Sequence, residues 1–141
     1  MNVVILTGAG MSAESGISTF RDNGGLWDTY NVEDVATPEG WESDPEMVTE
    51  FYNLRRQQML DAQPCAGHKL LAALEKAYNV HIITQNVDDL HERAGSTNVL
   101  HLHGELMKLR SERNPELIYD INDGWEQSLD ERGEDGALLR P

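Results

Sequence analysis

The sequence has few cysteines, few basic residues and no long hydrophobic run. A single cysteine, Cys65, among 141 residues excludes an internal disulfide framework and favours a reducing compartment. The longest apolar runs span only a few residues, so we expect neither a signal peptide nor a membrane span and predict a cytoplasmic protein. Only 11 basic residues oppose 25 acidic ones, for a formal charge of −14. This charge repels phosphate backbones, and we therefore expect no nucleic-acid partner.

Three short apolar runs predict the strands of the core. They cover residues 3–6, 80–84 and 98–102, and the first predicts a strand that is buried on both faces. Between them, residues 46–61 and 64–78 place apolar side chains at helical spacing. Short apolar strands that alternate with helices predict an α/β fold with a parallel sheet.

A glycine-rich turn directly follows the first predicted strand. Gly8 and Gly10 let the backbone turn tightly and approach a ligand, and Ser12 can cap a helix that begins near Ala13. Unpaired amides and the helix dipole then point at one spot, which is typical of a nucleotide-binding loop. The dehydrogenase fingerprint Gly-x-Gly-x-x-Gly does not fit, because the third glycine, Gly16, comes three positions late.

Polar clusters follow the other two predicted strands. Gln85 and Asn86 come at the end of the second, and His101 and His103 at the end of the third. Ligands of parallel sheets bind beyond the carboxyl ends of the strands, so we expect these residues to share a site with Gly8. On a strand, His101 and His103 face the same side. Such a histidine is more often a hydrogen-bonded structural group than a general base that titrates near neutral pH.

Three separated stretches resemble the signatures of the sirtuins, the NAD-consuming protein-lysine deacylases. They are GAGMSAESGISTFR at residues 8–21, TQNVDDLH at 84–91 and HLHG at 101–104. The resemblance covers about residues 1–110. It implies a Rossmann-like parallel sheet flanked by helices, with a helical insertion at about 28–62. Residues 111–141 then form an acidic segment in place of the family's zinc-binding module.

The resemblance also implies an active site. His103 matches the general base of the family. The residues that match its NAD-binding positions are Gly8, Ala9, Gly10, Ser12, Ala13, Glu14, Ile17, Phe20, Arg21, Trp27, Gln85, Asn86 and Asp88. In the mechanism that the family implies, the acyl-lysine carbonyl oxygen attacks C1′ of the nicotinamide ribose and expels nicotinamide. His103 then activates a ribose hydroxyl, and the products are free lysine, nicotinamide and O-acyl-ADP-ribose. From the residues alone, Asn86 and Asp88 can equally be turn and cap residues of a helix over 87–93.

Tyr52 and Arg55 bear on the choice of acyl group. Their spacing places both side chains on one face of the predicted helix 46–61, where a guanidinium and a phenol suit an acidic acyl tail. This Tyr-x-x-Arg resembles the marker of the sirtuins that remove succinyl, malonyl or glutaryl groups from acylated-lysine proteins. Ala36 matches the small residue that enlarges their acyl pocket, which also admits acetyl. Without the resemblance, a solvent-facing pair on an amphipathic helix is the commoner interpretation.

The sequence departs from the sirtuin pattern in two ways. Most sirtuins hold a structural zinc with two Cys-x-x-Cys pairs, but residues 111–139 contain neither cysteine nor histidine. Carboxylates alone are poor zinc ligands, so we predict no zinc and a solvated, loosely structured segment. The sequence ends at Pro141, where sirtuins continue into further strands. We therefore expect an open sheet edge that pairs by self-association or with a complementing C-terminal chain. Two alternatives remain, namely an NAD- or ADP-ribose-binding module without turnover and a mono-ADP-ribosyltransferase.

Overall fold

The structure is a computed structural model that describes residues 1–19 and 25–141. Phe20 and Arg21, two of the predicted cofactor-binding residues, lie outside the described residues. The chain forms two compact units. The first unit comprises Met1–Arg21 and Asp61–Glu105, and the second comprises Asp22–Leu60 and Leu106–Pro141. The division into a core of 1–110 and a segment of 111–141 stays a prediction.

The described residues form six strands and seven helices. The strands are β1 Asn2–Thr7, β2 Asn79–Thr84, β3 Val99–His101, β4 Lys108–Ser111, β5 Ile118–Asp120 and β6 Leu139–Arg140. The helices are α1 Ala9–Ala13, α2 Leu26–Thr29, α3 Val32–Val35, α4 Pro38–Ser43, α5 Pro45–Asp61, α6 Ala66–Leu74 and α7 Leu90–Arg93. None of these helices is long and apolar enough to cross a membrane.

The first unit is built on a parallel three-stranded sheet in the order β1-β2-β3. The predicted α/β fold with a parallel sheet is confirmed. Val80 and Ile82 of β2 are 3 % and 1 % exposed, and Leu90 of α7 is completely buried. The core of this unit therefore lies on one face of the sheet.

Strand β1 is not buried on both faces, and that prediction is wrong. Val4 and Leu6 are each 64 % exposed. They lie beside His81 and Ile83 in the register of the sheet, and Leu100 of β3 lies beside Ile83. These residues share one face, and no described part of the first unit packs over it. An apolar run therefore does not distinguish a doubly covered strand from one whose second apolar face is open.

Helix α1 begins earlier than predicted. It starts at Ala9 with Gly8 as its N-cap residue in an extended conformation, so Ser12 lies in the last turn and does not cap the helix. Two other predicted helices are shorter than expected. Helix α6 ends at Leu74, where the chain turns. Helix α7 begins only at Leu90, because the Asp88 carboxylate accepts its N–H at 3.1 Å.

Helix α5 agrees with the prediction. It begins at Pro45, and Asp44 Oδ1 accepts the N–H of Met47 at 3.0 Å as a cap. The third strand is shorter than predicted, however, because β3 ends at His101. His103 lies in the turn that follows, so the expectation that His101 and His103 face one side of a strand does not hold.

The second unit contains α2 to α5 and a small antiparallel sheet in the order β5-β4-β6. Phe51 of α5 is completely buried, and Leu109 and Leu139 are 2 % and 4 % exposed. The predicted loose structure of residues 111–141 is therefore wrong. Backbone pairing and the buried side chains of Ala137 and Leu139 order the segment, although most of its carboxylates remain on the surface.

Candidate active site

The three parallel strands end at a common level. Thr7 is in register with Thr84, and Thr84 with His101. The Gln85 N–H donates to the Thr7 carbonyl at 3.0 Å, and the Leu102 N–H donates to the Thr84 carbonyl at 2.9 Å. The sheet thus places the glycine turn, Gln85 and the turn that carries His103 at one edge. This is the edge where parallel sheets bind ligands.

Ser12, Asn86 and Asp88 form a buried hydrogen-bond network beside this edge. Ser12 Oγ donates to Asp88 Oδ2 at 2.7 Å. Asn86 Nδ2 donates to the Gly8 carbonyl at 2.9 Å and lies 3.3 Å from Ser12 Oγ. The three side chains are 2 %, 9 % and 4 % exposed. The network ties the glycine turn to the loop after β2, and Asp88 Oδ1 also accepts the N–H of Leu90 at the start of α7.

The glycine turn itself opens toward solvent. A Cβ added at Gly8 or Gly10 would meet no atom within 4 Å, and Ala9 is exposed. Farther along the turn, Ala13 and Glu14 are exposed, and so is Gln85 across the edge. Ile17 is half-buried, and its N–H donates to the Ser12 carbonyl at 3.3 Å. The turn therefore has room for a ligand against its backbone.

His103 is exposed in the turn after β3. The next residue, Gly104, has a φ of +84°, a conformation that side-chain-bearing residues rarely adopt. The glycine lets the chain reverse directly after the histidine and leaves the imidazole at the strand-end edge. Its role as a general base stays a prediction.

His101 bridges two elements of the first unit. Its Nδ1 lies 2.8 Å from the Asn86 carbonyl oxygen, and its Nε2 lies 2.5 Å from Glu92 Oε1. Glu105 Oε1 is 3.9 Å from the same nitrogen. Burial alone lowers the pKa of His101, but the hydrogen bonds to Glu92 and Asn86 raise it above 6.5. Burial also opposes ionisation of Glu92, yet the bond from His101 lowers the pKa of that carboxyl.

Two further histidines, His68 and His91, form a completely buried pair below the strand ends. Their ring centroids are 4.8 Å apart in an edge-to-face arrangement. His91 Nε2 is 2.9 Å from Thr7 Oγ1, and His68 Nδ1 accepts the N–H of Cys65 at 3.1 Å. Burial lowers the pKa of both imidazoles below 6.5. They are therefore neutral groups of the core near neutral pH.

In the second unit, aromatic rings surround the guanidinium of Arg55. Its Cζ is 5.4 Å from the ring centre of Trp27, 5.8 Å from that of Phe51 and 5.7 Å from that of Tyr52. Tyr52 and Arg55 are thus neighbours on α5, as their spacing predicted. Trp27, predicted to bind cofactor, belongs to this cluster. Ala36 follows α3 and is exposed.

Sequence reasoning missed Arg56, the neighbour of Arg55. Its side chain is completely buried, with Nε donating to the Leu106 carbonyl at 2.5 Å and Nη1 to Asn53 Oδ1 at 3.0 Å. Desolvation lowers the pKa of this guanidinium to about 10. The only sequence signal was its place between Tyr52 and Met59 on the apolar stripe of α5, where an arginine needs internal partners.

Among the residues that the structure describes, one group of side chains has metal-ligand spacing. Glu92, His101 and Glu105 each offer an atom within 4.8 Å of the others. The ion pair between His101 and Glu92 accounts for this group without a metal. The second unit does not fit the structural zinc of the family, because residues 111–139 lack cysteine and histidine. The absence of zinc stays a prediction.

Comparison with known proteins agrees with this geometry. The chain is 59 % identical over 144 residues to an NAD-dependent protein deacylase of Bacteroides thetaiotaomicron, covering 99 % of the chain and 62 % of the relative. It is 56 % identical over 142 residues to an NAD-dependent protein deacylase of Helicobacter pylori strain J99, covering 99 % of the chain and 59 % of the relative. A solved complex of a Sir2 homologue with NAD superimposes with a TM-score of 0.87 at 43 % identity, covering 99 % of this chain and 55 % of that one.

The chain thus spans about three fifths of the length of these curated relatives. The model of the Sir2 family matches residues 8–131, which include the glycine turn, the loop after β2 and the turn that carries His103. This match covers most of the chain and includes the three stretches that the sheet brings to one edge. The chain belongs to the Sir2 family.

Proposed function

We propose that this chain is the cofactor-binding part of an NAD-dependent protein-lysine deacylase. The observation that carries the proposal is the open glycine turn at the end of β1, tied by Ser12 and Asn86 to the strand-end edge where His103 is exposed. The relatives named as NAD-dependent deacylases and the Sir2 homologue bound to NAD support it.

The residues of the first unit suit the nicotinamide and ribose end of NAD. Gly8 and Gly10 offer backbone without Cβ atoms in the way, and exposed Gln85 offers an amide for ribose hydroxyls. Asn86 and Asp88 are held in one orientation by Ser12. When bound, NAD supplies an electrophilic ribose carbon and nicotinamide as a leaving group. The protein's part is to hold the cofactor in the orientation for attack.

His103 is the group that we assign to proton transfer. An exposed imidazole at the sheet edge can take a proton from a ribose hydroxyl and return it to solvent. An acyl-lysine protein segment is the proposed substrate, and the acidic surface suits basic, lysine-bearing partners. Self-association, a complementing C-terminal chain and a cytoplasmic location remain proposals of the same kind.

The preferred acyl group is proposed to be acidic. Arg55 carries the charge, and the rings of Trp27, Phe51 and Tyr52 restrict the positions of its guanidinium. A guanidinium that is already ordered loses less entropy when it binds a carboxylate bidentately. A succinyl, malonyl or glutaryl group presents such a carboxylate, whereas acetyl does not.

The test incubates the protein with NAD and succinyl-lysine or acetyl-lysine peptides, with products followed by mass spectrometry. We expect nicotinamide, free lysine and O-succinyl-ADP-ribose, and we expect His103→Ala to lower turnover by at least about a hundredfold. Label transferred to protein without any acyl peptide would instead indicate an ADP-ribosyltransferase. NAD binding without products would indicate a binding module.

The acyl assignment has its own variant. Arg55→Met should lower kcat/KM for the succinyl peptide far more than for the acetyl peptide, because only the first loses a charge-assisted hydrogen bond. Gln57→Met, an exposed change on the same helix, is the matched control and should affect neither substrate. Equal losses on both peptides in Arg55→Met would refute the acidic-acyl proposal.

A further inference from the structure

His101 occupies an unusual position for a residue without a direct part in the reaction. It ends β3, its side chain is 6 % exposed, and both ring nitrogens have partners on other elements. Nδ1 meets the Asn86 carbonyl in the loop after β2, and Nε2 meets the Glu92 carboxylate on α7. One imidazole therefore joins three consecutive elements of the first unit.

The partners determine how the imidazole is protonated. A carbonyl oxygen only accepts hydrogen bonds, so Nδ1 carries a proton directed at Asn86. An ionised carboxylate also only accepts, so Nε2 carries a proton directed at Glu92. His101 is thus an imidazolium between two acceptors, and Glu105 adds a second negative charge at 3.9 Å. The neighbouring charged groups, Glu92 and Glu105, both favour the cation, and the titratable neighbour His91, whose pKa burial and His101 lower, is neutral.

The contact with Asn86 extends to the cofactor edge. While its carbonyl accepts from His101, the Asn86 side chain donates to the Gly8 carbonyl and approaches Ser12 Oγ. Ser12 in turn donates to Asp88. The backbone of Asn86 is therefore held from one side while its amide holds the glycine turn on the other.

We propose that the Glu92–His101 pair positions Asn86, and through it the glycine turn, for the cofactor. This inference rests on the proposed function, since it names residues that act at the same NAD site. The His101 side chain is 6 % exposed and has a partner at both ring nitrogens, so we assign it no contact with the cofactor or the substrate. It is a positioning residue, and its removal should weaken NAD binding without changing the chemistry.

The test compares the wild type with the variants His101→Gln and Glu92→Gln. The matched control is His81→Gln, because His81 lies on β2 and hydrogen-bonds to Asn98 rather than to Asn86. Calorimetry gives the dissociation constant for NAD at pH 6.5 and pH 8.5, and NMR follows the side-chain amide of Asn86. His101→Gln should weaken NAD binding about tenfold, the effect of one lost buried hydrogen bond, and shift the Asn86 amide. His81→Gln should stay within about twofold of the wild type.

The Glu92→Gln variant separates the ion pair from the hydrogen bond. In the wild type, the imidazole loses one proton as the pH rises through the elevated pKa of His101. The Glu92 carboxylate is the stronger acceptor and keeps the Nε2 proton, so the Nδ1 lone pair then faces the Asn86 carbonyl, and NAD binding should weaken toward pH 8.5. In Glu92→Gln a neutral imidazole still donates to Asn86 and accepts from the amide. Binding at pH 6.5 should remain close to wild type, and the loss at pH 8.5 should disappear.

Turnover distinguishes the failure of this inference from that of the proposed function. If the protein deacylates, His101→Gln should raise KM for NAD while kcat and KM for the peptide stay unchanged. If it binds NAD without turnover, the proposed function fails and the binding constants still decide the inference. If the protein does not bind NAD, the NMR shift of the Asn86 side-chain amide in His101→Gln decides the inference. Wild-type NAD affinity with an unmoved Asn86 amide in His101→Gln would overturn the proposal. So would a divalent cation that the wild type binds tightly and His101→Gln does not.

Discussion

Ser12 connects two other polar side chains within a buried site. Its hydroxyl donates to Asp88 and lies within reach of the Asn86 amide, and all three residues are almost completely buried. A buried polar group that loses its partner costs more than the hydrogen bond was worth, because water cannot replace the partner. Ser12 therefore stabilises the loop after β2 and does not cap α1.

The Ser12→Ala variant tests this role. Removing the hydroxyl leaves Asp88 Oδ2 without its donor, and we expect the free energy of unfolding to fall by about 1–3 kcal/mol in urea titrations. Ser15→Ala is the matched control in the same turn, because Ser15 Oγ is buried without a hydrogen-bond partner among the described residues. Ser15→Ala should be neutral or slightly stabilising. Equal losses in both variants would refute the network.

The buried pair His68 and His91 makes stability depend on pH. Both pKa values are lowered by burial, so between pH 6.5 and the lowered folded-state pKa the unfolded chain binds protons that the folded chain excludes. Stability should therefore be complete above pH 6.5 and fall as the pH drops below it. His101 acts in the opposite direction, since its raised pKa removes stabilisation as the pH rises.

His68→Gln measures the first effect. Glutamine cannot titrate, but it can still accept the N–H of Cys65 as the third residue of a capping box. We expect the urea midpoint of the variant to fall less steeply than that of the wild type between pH 7 and pH 5. An unchanged slope would mean that His68 does not contribute to the acid sensitivity.

At the scale of elements, the acidic segment is ordered by hydrogen bonds between its turns. Ser111 Oγ donates to Asp135 at 2.5 Å, which lowers the pKa of that carboxyl, and accepts the N–H groups of Arg113 and Asn114 at 3.1 Å each. One hydroxyl thus joins the end of β4 to the turn before β6. This contact explains how the segment is ordered without any zinc ligand in its sequence.

Ser111→Ala should loosen the segment. Three hydrogen bonds lose a common partner that is 1 % exposed, so we expect the melting temperature to fall by about 3–6 °C. Ser128→Ala, an exposed serine in the same segment, is the control and should leave the melting temperature unchanged. Equal melting temperatures for both variants would show that Ser111 does not order the segment.

A second element-scale contact anchors α5 to this segment. Asn53 Nδ2 donates to the Gln127 carbonyl at 3.0 Å, and the Gln127 N–H donates to Asn53 Oδ1 at 2.8 Å. The side chain of Gln127 continues to the Leu139 carbonyl at 2.6 Å. Asn53 lies between Tyr52 and Arg55, so the same helix turn carries both the anchor and the proposed acyl-recognition residues.

At the scale of the whole molecule, the first unit has an open apolar sheet face. Val4, Leu6, Leu100 and Leu102 are between 50 % and 64 % exposed, far more than their side chains favour in water. Contiguous apolar surface of this kind promotes association. The edge of β1 adds unpaired backbone groups.

We therefore expect the protein to self-associate as its concentration rises. Sedimentation velocity should show larger species at high concentration, and Leu6→Lys should shift the distribution back toward the monomer. Val32→Lys changes an exposed apolar residue of the second unit and serves as the control. A monomeric wild type across the concentration range would contradict the expectation.

The metal content is the second prediction at this scale. The second unit has a sheet and hydrogen-bonded turns where residues 111–139 offer no thiolate or imidazole. We expect less than a tenth of a zinc ion per chain by mass spectrometry, a rough threshold below stoichiometric binding. We also expect an unchanged circular dichroism spectrum after chelation. One tightly held zinc per chain would overturn the prediction.

The sequence by itself determined the three parallel strands, helix α5 and the edge at which the site forms. The periodicity of hydrophobic residues and the presence of turn-forming residues are local signals, so α5, β2 and the glycine turn could be located without a structure. Only the tertiary structure decided which partners the polar side chains find. Ser12 meets Asp88 76 positions away, and Thr7 meets His91 84 positions away. No local pattern encodes such pairs, because they depend on how the strands align, and the roles of His101 and Arg56 therefore emerged only from the fold.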